Sequence, residues 1–128
     1  MKVLLDTHAF LWWIGNDNRL SQPARAVIAA ADNEVFLSVA SAWELAVKAR
    51  IGRLDIPMGL DRFLPAQIQC NAFSVLPIAL AHTLALYRLP LHHRDPFDRM
   101  LIAQAQCEGM TLVTCDASMR RYEVPIHW

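Results

Sequence analysis

Short apolar segments that alternate with helical segments are the feature that most constrains the fold of this chain. KVLLD (residues 2–6) is a continuous apolar run that ends at an acid, which is typical of a strand buried on both faces. Four later segments also have strand character: EVFLSV (34–39), FSVLPI (73–78), TLVTCD (111–116) and, as an edge strand, VPIHW (124–128). The segments between the strands carry helical spacing and helix caps.

Six segments are predicted to be helical: THAFLWWIG (7–15), SQPARAVIAAA (21–31), SAWELAVKARIG (41–52), GLDRFLPAQIQCN (59–71, in part), ALAHTLALYRL (79–89) and DPFDRMLIAQAQCEG (95–109). Ser41 and Glu44 have the spacing of a capping box, and Asp95 followed by Pro96 is a strong helix start. Alternating strands and helices in 128 residues predict one α/β domain, a three-layer α/β/α sandwich with a small, mainly parallel sheet.

The composition restricts the possible functions. Apolar residue types make up 55% of the chain, so we expect a protein partner or a self-interface to cover part of the surface. The net charge is zero, which argues against nucleic-acid binding through overall positive charge. No apolar run reaches the roughly 18 residues that a membrane span needs. The three cysteines form no C-x-x-C pair, which indicates reduced thiols and a cytoplasmic protein.

Four acidic residues fall at the carboxyl edge of the predicted sheet. Asp6 and Asp116 each follow a strand, and Glu44 and Asp98 lie in the first turn of a predicted helix. Ligands of parallel α/β sheets bind at this edge. Each acid also has a structural interpretation, because carboxylates cap helices and turns. Asp95 already begins the last long helix, however, which leaves Asp98 available for another role.

Carboxylates that gather at one edge repel one another, and a bound divalent cation removes that conflict. Carboxylate oxygens suit Mg²⁺ or Mn²⁺, whereas zinc is disfavoured because no cysteine or histidine has ligand spacing within the set. Such a cation typically promotes hydrolysis of phosphate esters. Asp6 and Asp98 are the expected direct ligands. Thr7 and Thr114 adjoin the strand-end acids and are expected to orient the carboxylates.

Four motifs resemble the PIN-domain family. VLLDTHAFLWW, SAWELAVKARIGRL, RDPFDRMLIAQA and LVTCD occur in the order and spacing of that family, and more narrowly of VapC-like toxins of type II toxin–antitoxin pairs. By motif position, the family's acids match Asp6, Glu44, Asp98 and Asp116, and Asp95 falls outside this quartet. The resemblance implies an acidic cluster that holds Mg²⁺ or Mn²⁺, cleavage of single-stranded or structured RNA, a homodimer and an inhibitory antitoxin.

Cations lie near each acidic motif in the sequence. Lys48, Arg53 and Arg99 are candidate contacts of RNA phosphates, although each could equally be an ordinary solvated charge. Two other functions remain open. Asp6 could be the nucleophile of a haloacid-dehalogenase-like phosphatase, although His8 stands where a second aspartate is expected. Alternatively, the chain is a non-catalytic protein-binding module whose acids only cap helices.

Overall fold

A computed structural model describes residues 1–128 and contains one five-stranded sheet. All pairs of neighbouring strands are parallel, in the order β3-β2-β1-β4-β5. The strands are β1 (Lys2–Leu5), β2 (Glu34–Ser38), β3 (Ser74–Leu76), β4 (Thr111–Val113) and β5 (Ile126–His127). Each predicted strand is therefore present, and the mainly parallel sheet proves to be wholly parallel.

Six α-helices and one 3₁₀ helix connect the strands. The α-helices are α1 (Thr7–Ile14), α2 (Gln22–Ala29), α3 (Val39–Arg50), α4 (Leu60–Cys70), α5 (Leu80–Arg88) and α6 (Pro96–Glu108), and the 3₁₀ helix is Ala117–Arg121. None of these helices combines the length and the apolar character that crossing a membrane requires.

The helices cover both faces of the sheet, as residues of the central strand β1 show. Val3 and Leu5 belong to one buried apolar cluster, which also contains Phe10 of α1. Leu4 points to the opposite face and belongs to a second cluster with Leu101 of α6. Alternate residues of a strand point to opposite faces, so β1 contributes to two cores and is apolar throughout. The predicted three-layer α/β/α sandwich is confirmed.

The chain order of the strands creates one switch point, between β1 and β4. The chain proceeds from β1 outward to β2 and β3 on one side, then returns to place β4 on the other side of β1. Where the direction of winding reverses in this way, adjacent connections leave in opposite directions and open a crevice at the carboxyl ends of the strands. Asp6 directly follows β1, and Asp116 lies three residues after β4.

Helix α3 begins three residues earlier than the sequence pattern predicts. Its N-cap is Ser38, whose hydroxyl accepts a hydrogen bond from the backbone N–H of Ala40 at 2.9 Å. The prediction that Ser41 caps the helix and that Glu44 lies in its first turn was therefore wrong. The two serines are three residues apart, and Ser38 serves as the cap because β2 ends there and leads directly into the helix. Glu44 consequently lies in the second turn, where it caps nothing.

Helix α6 begins as predicted. The Oδ1 atom of Asp95 accepts hydrogen bonds from the backbone N–H groups of Phe97 and Asp98, at 2.8 and 3.1 Å. Pro96 occupies the first turn, and Gly109 ends the helix in a left-handed conformation with φ 65°. Because Asp95 satisfies the exposed backbone donors, the Asp98 carboxylate makes no capping contact.

Candidate metal centre

Asp6 and Asp116 follow β1 and β4, the two strands at the switch point. Asp6 is 5% exposed, and its Oδ1 accepts a hydrogen bond from the backbone N–H of Ala9 at 2.6 Å, so that it caps α1. Asp116 caps the 3₁₀ helix, since its Oδ1 accepts from the backbone N–H of Ser118 at 2.9 Å and from its hydroxyl at 2.6 Å. Both acids thus have a capping role and are still held at the edge where ligands bind.

Glu44 is buried in the second turn of α3 and faces α1. The Thr7 hydroxyl donates to its Oε1 at 2.7 Å and lies 3.0 Å from the Ser41 hydroxyl, while the Lys48 ammonium lies 2.6 Å from its Oε2. Thr7 therefore orients this carboxylate from α1, and Lys48 offsets its charge one turn further along α3. A buried acid with both oxygens paired is fixed in place rather than free to rearrange.

Burial and the charges of neighbouring acids both act on Asp98. Burial raises the pKa of Asp98 to about 7, and the negative charges of Asp95, Glu44 and Asp6 add to this effect, whereas His93 opposes it. A carboxyl group with this pKa is half protonated near neutral pH. The side chain of Asp98 is thus in a place where a negative charge is disfavoured, first by burial and then by the neighbouring acids.

The pKa values of the two strand-end acids, Asp6 and Asp116, are shifted in opposite directions. Burial raises the pKa of Asp6, and the charge of Asp116 adds to it, against hydrogen bonds from the Thr114 hydroxyl and the Ala9 backbone. Burial also acts on Asp116, but hydrogen bonds from Ser118 and His93 outweigh it, and its pKa lies below the usual value. Thr114 accepts a hydrogen bond from the Asp116 backbone N–H at 3.0 Å, so this residue connects the two acids.

His93 is a member of the cluster that the sequence analysis missed. Its Nε2 atom lies 3.0 Å from Oδ2 of Asp98 and 3.1 Å from Oδ2 of Asp116. The ligand atoms of these three residues lie within 4.8 Å of one another. The available signal was its position: His93 stands two residues before the cap of α6, in the loop that must end at the acidic edge. The sequence analysis found no histidine with ligand spacing within the set, whereas the structure places His93 against two of its acids.

The three candidate cations do not lie free around the acids. Lys48 is paired with Glu44. Arg99 donates to the backbone carbonyls of Leu86 and Leu89, at 3.4 and 3.2 Å, and so ties α6 to the end of α5. Arg53 is exposed beyond the end of α3 that points away from the acids. Contact of any of these side chains with RNA phosphates stays a prediction.

The donor set fits a hard divalent cation. Asp6, Glu44, Asp98 and Asp116 bring carboxylate oxygens to one edge, and Lys48 is the only lysine or arginine that forms an ion pair with any of them. Burial is the main cause of the raised pKa values of Asp6 and Asp98, and the charges of neighbouring acids add to it. Carboxylate oxygens with room for water are the coordination that Mg²⁺ and Mn²⁺ prefer.

Solved structures of similar fold span nearly the whole chain. VapBC2 from Rickettsia felis, bound to a DNA fragment from its promoter, superposes with a TM-score of 0.74 at 16% identity, covering 98% of this chain and 97% of that one. A toxin–antitoxin complex from Klebsiella pneumoniae gives a TM-score of 0.59 at 14% identity, covering 97% and 94%. At these identities the likeness concerns the fold alone.

Sequence comparison identifies the family. Ribonuclease VapC22 of Mycobacterium tuberculosis is 32% identical over 126 residues, which are 96% of this chain and 93% of that protein. The family model of the PIN domain matches residues 3–125, which include all four acids and His93. This chain therefore belongs to the PIN-domain family.

Proposed function

We propose that this protein is an Mg²⁺- or Mn²⁺-dependent endoribonuclease, the toxin of a VapC-type toxin–antitoxin pair. The proposal is supported by the placement of Asp6, Glu44, Asp98 and Asp116 at the carboxyl edge of a PIN-domain sheet, where Asp98 and Asp116 form a close group with His93. The similarity to ribonuclease VapC22 supports cleavage of RNA.

The residues of the site divide into ligands and supports. Asp6, Asp98 and Asp116 would hold the cation directly, and Glu44, whose two oxygens already have partners, would act through water. When bound, the cation supplies an activated water and offsets the charge that builds on the phosphoryl oxygens. Backbone hydrogen bonds from Ala9 and Ser118 hold Asp6 and Asp116 before substrate arrives, so little reorganisation is required.

An exposed tryptophan next to Glu44 in the sequence supports single-stranded RNA as the substrate. Trp43 precedes Glu44 and is 60% exposed, and its ring meets that of Phe97 edge-to-face at 4.9 Å. Phe97 in turn precedes Asp98. An indole in this position could stack on an unpaired base while the adjoining phosphate enters the acidic centre.

The cation requirement tests the proposed function directly. The purified protein should cleave a 5′-labelled single-stranded RNA of mixed sequence in the presence of Mg²⁺ or Mn²⁺. EDTA should stop the cleavage, and an excess of the cation should restore it. The Asp6→Asn variant, purified in parallel, measures contaminating nucleases. Cleavage that persists in EDTA, or that is equal in the variant, would count against the proposal.

We include a homodimer in the proposal because helix α5 carries an uncovered apolar stripe. Leu80, Leu84 and Tyr87 recur along α5 at intervals of four and three residues and are between 48% and 89% exposed, and Leu91 in the loop after the helix is also exposed. Such a stripe on one helix suits packing against its own symmetry mate. Sedimentation equilibrium should show a dimer for the native chain and a monomer for Tyr87→Glu, whereas a monomeric native chain would exclude the dimer.

The proposal also includes an antitoxin and a cytoplasmic location. The toxin–antitoxin complex from Klebsiella pneumoniae supports a protein partner, and the groove lined by Leu11, Leu54, Ile56, Met58 and Phe63 offers an apolar surface for it. A toxin that cleaves cellular RNA would act in the cytoplasm. A cognate antitoxin supplied in excess should abolish RNA cleavage, and unchanged cleavage would contradict this part of the proposal.

The two rival functions are not favoured. Membership of the PIN-domain family, with a ribonuclease as a relative, replaces the haloacid-dehalogenase-like interpretation of Asp6. The non-catalytic interpretation treats the acids as helix caps, but Glu44 and Asp98 cap no helix in this structure. Glu44 is buried and Asp98 is half-buried, and withdrawing a carboxylate from water without a capping role is costly unless the group serves another purpose.

A further inference from the structure

His93 lies where a cation shared by Asp98 and Asp116 would bind. Its Nε2 atom is 3.0 Å from one Oδ2 and 3.1 Å from the other. Mg²⁺ binds carboxylate oxygens at about 2.0–2.1 Å, so an ion held by both Oδ2 atoms on the side that the imidazole occupies would come into van der Waals conflict with this nitrogen or bond to it. An ion on that side requires the ring either to coordinate it or to move away from it.

The tautomer of His93 decides between these two possibilities. The backbone N–H of Asp95 donates a hydrogen bond to Nδ1 of His93 at 3.2 Å, so Nδ1 is an acceptor and carries no proton. In the neutral ring the proton is then on Nε2, which makes Nε2 a hydrogen-bond donor to the two carboxylates. A nitrogen that carries a proton has no lone pair for a metal. Coordination through Nε2 would require a proton on Nδ1, facing the Asp95 N–H.

The core of the protein holds His93 in this position. The hydroxyl of Tyr122 accepts hydrogen bonds from the backbone N–H groups of His92 and His93, at 3.0 and 2.9 Å, and donates to the Pro90 carbonyl at 2.9 Å. Tyr122 is 5% exposed and belongs to the second apolar cluster. The loop before α6 is thus wrapped around a buried hydroxyl, and the imidazole extends from this anchor to the acids.

We propose that His93 is a positioning residue that competes with the divalent cation for Asp98 and Asp116. Its Nε2–H group bridges the two carboxylates in the cation-free protein, keeps them together and must leave them when the ion binds. His93 thereby lowers the affinity of the centre for free cations. This inference rests on the proposed cation-dependent function. In it the acids promote binding of the ion, and His93 opposes it.

Titration calorimetry with MnCl₂ at one fixed pH tests the competition. His93→Ala should bind Mn²⁺ about tenfold more tightly than the native chain, because a charge-assisted hydrogen bond no longer has to be broken. His93→Gln places an amide N–H near the same oxygens and should restore the native affinity. His92→Ala is the matched control, since it changes the same loop without touching an acid, and it should bind like the native chain.

The outcomes separate this inference from the proposed function. Weaker binding by His93→Ala would make His93 a ligand, and unchanged binding would make it a bystander; either result overturns the inference while the cation-dependent function stands. Mn²⁺ binding by none of the chains would overturn both. Binding by His93→Ala alone would support the inference in its strongest form. Thermal unfolding in EDTA should first show that every variant is folded.

Nitrogen-15 NMR of the imidazole gives a readout that does not depend on affinity. Without cation, the His93 signals should show a protonated Nε2 and an unprotonated Nδ1. Saturating Mg²⁺, which is diamagnetic, should leave the proton on Nε2. The chemical shift of Nε2 should change, because its hydrogen bonds to the carboxylates are lost. Transfer of the proton to Nδ1 on adding Mg²⁺ would show coordination through Nε2 and overturn the inference.

Discussion

Asp98→Asn is expected to lower the rate of RNA cleavage by about 10³-fold while the chain stays folded. The carboxylate of Asp98 makes no capping contact, so an amide of the same shape removes charge from the centre without removing a support of α6. The raised pKa of Asp98 shows that its negative charge is disfavoured in the folded chain, and the variant should therefore be no less stable than the native protein. Single-turnover cleavage of a labelled RNA measures the rate.

Asp95→Asn is the matched control for this experiment. It removes the same charge three residues earlier in the same helical segment, and asparagine caps helices about as well as aspartate. We expect its cleavage rate to stay within about threefold of the native rate, because Asp95 contacts backbone donors rather than the proposed cation. Equal rates for the two variants, whether both low or both native, would contradict the division of roles between these acids.

The different roles of Asp95 and Asp98 could be predicted from the sequence, because DPFD contains one more acid than a helix start needs. The parallel sheet was accessible as well, since apolar runs such as KVLLD have no polar face and must be covered on both sides. The position of the crevice follows from the strand order, which local patterns do not specify. The sequence predicted that Asp6 and Asp116 follow strands, and only the topology made those strands neighbours.

Other features of the centre depend on contacts between distant segments. Ser38 and Ser41 are equally good caps locally, and the choice of Ser38 depends on where pairing with β1 and β3 ends β2. Arg99 resembles a free cation beside Asp98 in the sequence, but α5 packs against α6 and offers it two carbonyls. His93 is drawn to the acids by a loop whose anchor, the Tyr122 hydroxyl, lies 29 residues further along the chain.

The crowding of the acids also predicts how stability depends on pH in the absence of cations. The pKa of Asp98 is raised from 3.8 to about 7 in the folded chain, so the folded state binds this proton more tightly than the unfolded state. The resulting contribution to stability is fully present below pH 3.8 and is lost as the pH rises towards and through 7. Three pKa units correspond to at most about 4 kcal/mol, and we expect a loss of about 2–4 kcal/mol.

Urea unfolding of the native chain and of Asp98→Asn between pH 4 and pH 8 in EDTA isolates this contribution. As the pH rises, the free energy of unfolding of the native chain should fall relative to that of Asp98→Asn, because asparagine has no proton to lose. Saturating Mg²⁺ at pH 8 should remove most of the native chain's deficit, since an ion that binds only the folded state stabilises it and makes ionised carboxylates favourable. A difference that is independent of pH would mean that Asp98 ionises without cost, and the centre would then lack the electrostatic strain that a divalent cation relieves.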